Sequence, residues 1–307
     1  MKRFLFLSVF FIILYPVTNA HNKVKRISDV VYDHREGVAF VFDVLVPKKQ
    51  NGIAIFNMVS GGWSSSNAAK YKNDAFKEFT DRGETVFLVS HGSKPRYKVP
   101  EIISQIQHAI QYARYHAKDF GVDPNRFGIM GRSSGGHLSV SAAVFGKDAV
   151  SEAEYRQTYS VKETDIVDPV NLVSSKVQAV ACYYPPLNLV SYHHPDSTFA
   201  DYQNVTRFVG AFDIAKDATR EEVKRVFMRS SPYFFVTKAT PPILIFQGTK
   251  DPLVPYSQAV DFMNKLKDNN VPCQLITKEG AAHGWAKNET DIQAMINWFE
   301  KYLPASK

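Results

Sequence analysis

Apolar residues along this 307-residue chain recur in two alternating patterns. Short apolar runs at 38–46, 53–59, 85–90, 126–130, 177–184, 243–246 and 273–278 have strand length, and 38–46 and 53–59 are expected as neighbours in a sheet. Between them lie stretches whose apolar positions return every three to four residues. The clearest is 100–118, where Ile102, Ile106, Ile110, Ala113 and Ala117 track one helical face. Further helices are predicted at 68–82, 135–145, 256–268 and 291–302. Strands that alternate with amphipathic helices imply an α/β fold, a mostly parallel twisted sheet with helices on both faces. Ligands of such sheets bind beyond the carboxyl ends of the strands.

Two stretches break the alternation. Residues 147–176 are polar, and 187–233 is long and rich in Tyr, His and Phe, including Tyr192, Phe199, Tyr202, Phe208 and Phe212. Both are expected on the catalytic side as cap or lid insertions, with the aromatics of 187–233 walling an acyl pocket. The alternative for these aromatics is glue that holds a surface excursion to the sheet. Deleting 187–233 is expected to alter acyl preference more than stability. No Pro-, Gly- or Ser-rich linker divides the chain, so 21–307 reads as a single domain.

The first twenty residues stand apart. Lys2 and Arg3 precede the apolar run 4–15, and Thr18-Asn19-Ala20 places small residues where a signal peptidase reads them. Export to the periplasm or medium with cleavage after Ala20 is expected, because about a dozen apolar residues fall short of the ~20 a spanning helix needs. No stable membrane anchor is expected. Loss of Lys2 and Arg3 takes the formal charge from +7 to +5, and the remaining basic residues are scattered without interleaved aromatics. Nucleic acid is therefore a poor candidate partner, and none is expected. At 45% hydrophobic and 22% charged, the chain can bury a large core. Cys182 and Cys273, the only cysteines, sit in or beside apolar strands and read as buried small hydrophobes rather than as a disulfide.

The chemistry centres on Gly131-Arg132-Ser133-Ser134-Gly135, a G-x-S-x-G between a predicted strand and a predicted helix. A serine hydroxyl attacks only when a tight turn holds it clear of the backbone beside a base and amide donors, and flanking glycines permit that turn. Asp251 follows the strand 243–246, and His283 follows the strand 273–278. The chain order Ser133, Asp251, His283 is that of the α/β-hydrolase triad. The chain resembles α/β-hydrolase serine esterases and lipases, and within them the secreted bacterial esterases grouped with feruloyl and acetyl xylan esterases. The likeness rests on Val59-Ser60-Gly61-Gly62-Trp63, the elbow through His137 and Leu138, Gly248-Thr249-Lys250-Asp251 with Val254-Pro255, and Ala282-His283-Gly284.

The resemblance implies a carboxylic-ester hydrolase working through an acyl-enzyme on Ser133, with His283 as base and Asp251 as its orienting acid. Small esters or esters borne on plant polysaccharide are the expected substrates, with no cofactor and no metal. It further implies an oxyanion hole from the N–H groups of Gly61, Gly62 and Ser134. Here Val59 and Ser60 stand where the lipase stretch has His and its first Gly, which removes the side chain that braces that loop; a plain Gly-Gly turn is the alternative. Trp63 either lines the substrate pocket or packs beneath it, and Tyr97 has the same two readings. His137, four residues past Ser133, is expected to pack or hydrogen-bond below the loop. Asp123 reads as a turn residue, His108 and His116 as peripheral on their helix, and His193-His194 as surface residues rather than metal ligands. Two other functions share the scaffold. A prolyl-oligopeptidase-like peptidase would carry a large N-terminal β domain ahead of residue 38, and a noncatalytic binding protein would lack a triad member.

Overall fold

The computed structural model describes residues 24–191, 209–215, 217–286 and 288–305. The 1–20 leader, Tyr192, Phe199, Tyr202, Phe208 and the pair His193-His194 lie outside them.

The described residues form ten strands: β1 (Lys25–Arg35), β2 (Val38–Val46), β3 (Ala54–Met58), β4 (Ser60–Gly61), β5 (Ser64–Ser65), β6 (Thr85–Val89), β7 (Phe127–Arg132), β8 (Ala179–Tyr183), β9 (Ile243–Gly248) and β10 (Cys273–Lys278). Eight form one sheet in the order β1-β2-β6-β3-β7-β8-β9-β10, antiparallel at β1/β2 and β2/β6 and parallel elsewhere. The central strands β6 (TVFLV) and β8 (AVACY) are buried at every position. That is why they read as nearly unbroken apolar runs: helices cover both of their faces. β2 is not the neighbour of β3 as the sequence suggested, because β6 pairs with both and lies between them. Two short strands, β4 and β5, make a separate hairpin.

Eight described helices cover the sheet: α1 (Lys77–Thr80), α2 (Val99–Tyr115), α3 (Ala117–Phe120), α4 (Ser134–Val144), α5 (Glu152–Tyr159), α6 (Arg220–Arg229), α7 (Tyr256–Asp268) and α8 (Glu289–Tyr302). α2 buries Ile102, Ile106, Ile110 and Ala113 in a core shared with α4 and α7, while α8 packs Met295, Ile296 and Phe299 against the opposite face. The helix predicted over 68–82 is broken into two 3-10 turns and α1. Tyr71 and Lys72 are extended between the turns. Arg26, paired through Nε with Asp43 at 2.7 Å, donates to the carbonyls of Ala68 and Tyr71 at 2.9 and 2.7 Å and pins that break from outside the segment.

Residues 147–176 do not cap the site. α4 starts beside Ser133 and runs to the other end of the sheet, so the chain leaves it at the amino ends of the strands. There Gln178 N–H donates to the Phe127 carbonyl at 2.8 Å, and Arg114 Nη2 donates to the Lys176 carbonyl at 2.6 Å. The segment carries α5, started by a capping box in which Ser151 and Glu154 bond each other's backbone N–H. Within the described part of 187–233, Ala211, Phe212, Phe227, Ser230 and Ser231 are all at most 2% exposed, whereas Phe227 is the only buried residue of α6. Removing those five buried residues would open the core.

Candidate active site

β7 ends at Arg132, and Ser133 turns the chain into α4 with φ 52° and ψ −123°, a region a non-glycine residue occupies only when the surroundings enforce it. Ser133 N–H donates to the Tyr183 carbonyl of β8 at 3.0 Å, and Ser133 O accepts the first helical bond from His137 N–H at 2.9 Å. The glycines on either side answer to space. A Cβ on Gly131 would lie 2.4 Å from the backbone of Gly135, and one on Gly135 would lie 3.3 Å from Met58 O. Position 131 therefore has no room for a side chain, and one at 135 would press on Met58, which is the physical content of G-x-S-x-G.

Ser133 Oγ lies 2.9 Å from His283 Nε2, and His283 Nδ1 lies 2.8 Å from Asp251 Oδ2. Three residues 32 to 150 positions apart in sequence are thus brought into one line. Asp251 Oδ1 accepts from the N–H groups of Leu253 and Val254, both at 2.9 Å, and Gln247 Nε2 reaches Oδ2 at 3.2 Å. Burial would raise this carboxyl, but the bond from His283 and the two amides outweigh it and hold Asp251 below its ordinary range. The loops bearing the acid and the histidine are tied together, since Lys250 N–H donates to Ala281 O at 3.0 Å. A neutral His283 placed this way has a nitrogen free to take a proton from Ser133 while the other stays on the carboxylate.

Beside Ser133 and His283 opens a cavity of about 530 Å³, lined also by Gly61, Gly62, Trp63 and Ser134. Gly61 pairs with Ser64 and Ser60 with Ser65, so Gly62 and Trp63 form a two-residue hairpin turn with φ of 55° and 58°. Both values are positive, as a type I′ turn requires. The Gly-Gly stretch is therefore at the tip of a hairpin that shares a cavity with Ser133. Ser134 opens α4, so its N–H belongs to the first turn, where amides have no partner within the helix. Trp63 both lines the cavity and is 4% exposed, which merges the two roles the sequence left open. Its indole N–H donates to His137 Nδ1 at 3.1 Å.

Tyr97 is buried and edge-on to Phe40, on the wall of a different cavity. His91 is buried with Nδ1 2.6 Å from Gly92 O, away from the serine, and burial pushes it down to about 4. Asp123 accepts from Asn125 N–H as a turn residue, and His108 and His116 stay on α2 and its end, near Asp33 and Asp119. Cys182 and Cys273 are both free thiols. Among the described residues no three His, Cys, Asp or Glu side chains gather as a cation site.

Several lining residues were not singled out from sequence. Tyr184 packs its ring 4.5 Å from that of His283, and Lys94, Arg132, Pro186 and Leu253 complete the wall. Tyr184 ends a predicted strand on the carboxyl side, which was the one signal for it. Lys94 and Leu253 arrive on loops whose path no local pattern encodes. No described residue of 187–233 lines this cavity.

Residues 42–266 match the family BD-FAE. The esterase LipC of Mycobacterium tuberculosis is 24% identical over 242 residues, which is 78% of this chain and 54% of that protein. An acetylxylan esterase of Xylanibacter ruminicola is 23% identical over 273 residues, 85% of this chain and 48% of that one. The chain spans about half the length of the curated relatives it matches. A solved structure of a truncated carbohydrate esterase from gut microbiota superposes with a TM-score of 0.74 at 26% identity, covering 93% of this chain and 99% of that one. The eight-stranded, mostly parallel sheet with its surrounding helices is thus the α/β-hydrolase arrangement of known esterases.

Proposed function

This chain belongs to the BD-FAE family, and on that premise we propose that it is an exported serine carboxylic-ester hydrolase that works through an acyl-enzyme on Ser133. The observation that carries the reading is the line Asp251 Oδ2, His283, Ser133 Oγ, with steps of 2.8 and 2.9 Å, ending at an open cavity. Ser133 attacks the ester carbonyl carbon as its proton passes to His283 Nε2, and Asp251 holds the imidazole tautomer and offsets the imidazolium charge. The oxygen of the tetrahedral intermediate is held by the N–H of Ser134 and those of Gly61 and Gly62, each worth about 3 kcal/mol in comparable sites. Collapse expels the alcohol, which takes the proton from His283. Water then attacks the acyl-enzyme by the same route in reverse.

Small acyl groups carried on plant polysaccharide fit this reading, supported by the acetylxylan and carbohydrate esterases that the chain resembles. Export with cleavage after Ala20 is supported by the basic and apolar leader. Among the described residues no helix is long and apolar enough to cross a membrane. The test is Ser133→Ala in the purified protein, assayed on acetyl, butyryl and feruloyl esters and acetylated xylan. Turnover should fall by about 10⁶ and fluorophosphonate labelling should vanish, with the fold retained. Retained hydrolysis, or labelling at Ser134, would overturn the assignment.

A further inference from the structure

We propose that His137 is a positioning residue that braces the hairpin carrying the oxyanion donors, with Trp63 as the link. The proposal rests on the serine-hydrolase reading of the cavity and adds how its hairpin is held. His137 lies on α4 with no exposure and touches no part of the space where an ester would sit. The indole N–H of Trp63 is a donor only, so His137 Nδ1 must be the unprotonated acceptor at 3.1 Å. The proton then sits on Nε2, which donates to the Ser230 carbonyl at 2.7 Å. Both ring nitrogens are therefore used, and one tautomer is selected without ambiguity. Burial pushes this imidazole down to about 4, so it stays neutral near neutral pH.

The hairpin needs such a brace. Trp63 holds φ at 58°, a strained value for a bulky residue, and sits next to Gly62 in a two-residue turn whose hairpin has only two pairs of residues. So small a hairpin cannot fix its own orientation to the fraction of an ångström that oxyanion donors need. The sequence also lacks the histidine that precedes the glycines in the lipase stretch, since Val59 stands there. His137 supplies the missing imidazole from the helix that comes after the nucleophile. Because α4 begins directly after Ser133, the same rigid element anchors both the attacking oxygen and the hairpin that must meet the oxyanion.

Trp63 is gripped on a second side. The Phe212 ring packs edge-on to it at 5.4 Å and onto Phe227 of α6 at 5.0 Å, while Ser230, the receiver of the His137 bond, caps α6. The α6 segment thus bears on the hairpin through both a ring contact and a hydrogen-bond relay.

The experiment compares Trp63→Phe, which keeps a ring but loses the indole N–H, with His137→Leu and the double variant. Readouts are kcat and KM on a soluble acetyl ester, and the affinity of a boronic acid that mimics the tetrahedral intermediate. Each single variant should lower kcat by about tenfold with KM within roughly twofold, and weaken the boronate by a similar factor. The double variant should lose no more than the worse single one, because both cut the same relay. Multiplicative losses, or a raised KM with kcat unchanged, would overturn the brace and leave Trp63 as a pocket wall. Should His137→Leu not fold, Trp63→Phe alone decides on its kcat and boronate affinity. If fluorophosphonate fails to label Ser133 in the unmodified protein, the hydrolase reading itself fails, which is a separate outcome.

Discussion

Gly131→Ala should disable the enzyme through one methyl group placed two residues before Ser133, the proposed nucleophile. The added carbon would lie 2.4 Å from both C and O of Gly135 and 2.9 Å from Gly136 N. These are backbone atoms of the first turn of α4, which is packed on β7 and β8 and cannot swing aside as a flexible side-chain tip would. Restoring a normal carbon contact of about 3.5 Å requires a shift of about 1 Å. That shift falls on the turn that sets Ser133 Oγ 2.9 Å from His283 and places the Ser134 N–H. A misplacement of about 1 Å costs on the order of 10² in rate. Overpacking should cost about 1–3 kcal/mol of stability, more than the roughly 0.4–1 kcal/mol that alanine returns by restricting the unfolded chain. The assay is kcat/KM on a soluble acetyl ester together with the urea midpoint, and the expected result is a loss of about a hundredfold with a lower midpoint. A variant within threefold of the parent activity and unchanged in midpoint would refute the reasoning.

Gly248→Ala should act on the other half of the site, because its new carbon would lie 2.3 Å from Ala281 O, two residues from His283; kcat should fall at least tenfold, and a normal kcat would exclude this coupling. Asp251→Asn should keep the fold and lower turnover by about 10⁴ through the wrong imidazole tautomer, so near-normal turnover would mean that another carboxylate serves His283. Glu84 predicts a pH effect: it is fully buried, both its oxygens lack a partner among the described residues, and burial pushes it up to about 8. Its folded pKa lies above its unfolded one, so its contribution is complete below about pH 4.5 and is lost as pH rises toward 8. The loss is on the order of 4 kcal/mol. Glu84→Gln should flatten that slope in urea unfolding at pH 5 and pH 8.5, and parallel slopes for the two proteins would count against it.

Local order and the catalytic elbow were legible from the chain alone, because both depend on neighbours within a few residues. Fully buried central strands such as β6 and β8 carry nearly uninterrupted apolar runs, and α2 carries a single apolar face. Gly131 is demanded by the backbone of Gly135 and Gly136 within the same turn, so that part of the pattern around Ser133 is local chemistry, whereas Gly135 answers to Met58 of β3. β1 escaped because register shifts between Ile27 and Val30 and between Val31 and Asp33 spoil its alternation. The break at Tyr71 escaped because Arg26, 45 positions away, captures its carbonyl. The place of 147–176 depended on where α4 ends, and the sheet order on β6 inserting between β2 and β3, neither of which any short window contains. The sequence by itself determined which residue types stand at strand ends and in what order. Only the tertiary structure decided which of them meet: Asp251 and His283 reach Ser133, Trp63 reaches His137, and Phe212 packs edge-on to Trp63. The reason is that side-chain spacing along one element is set by its own helical or extended period, whereas distances between elements are set by how their buried faces pack.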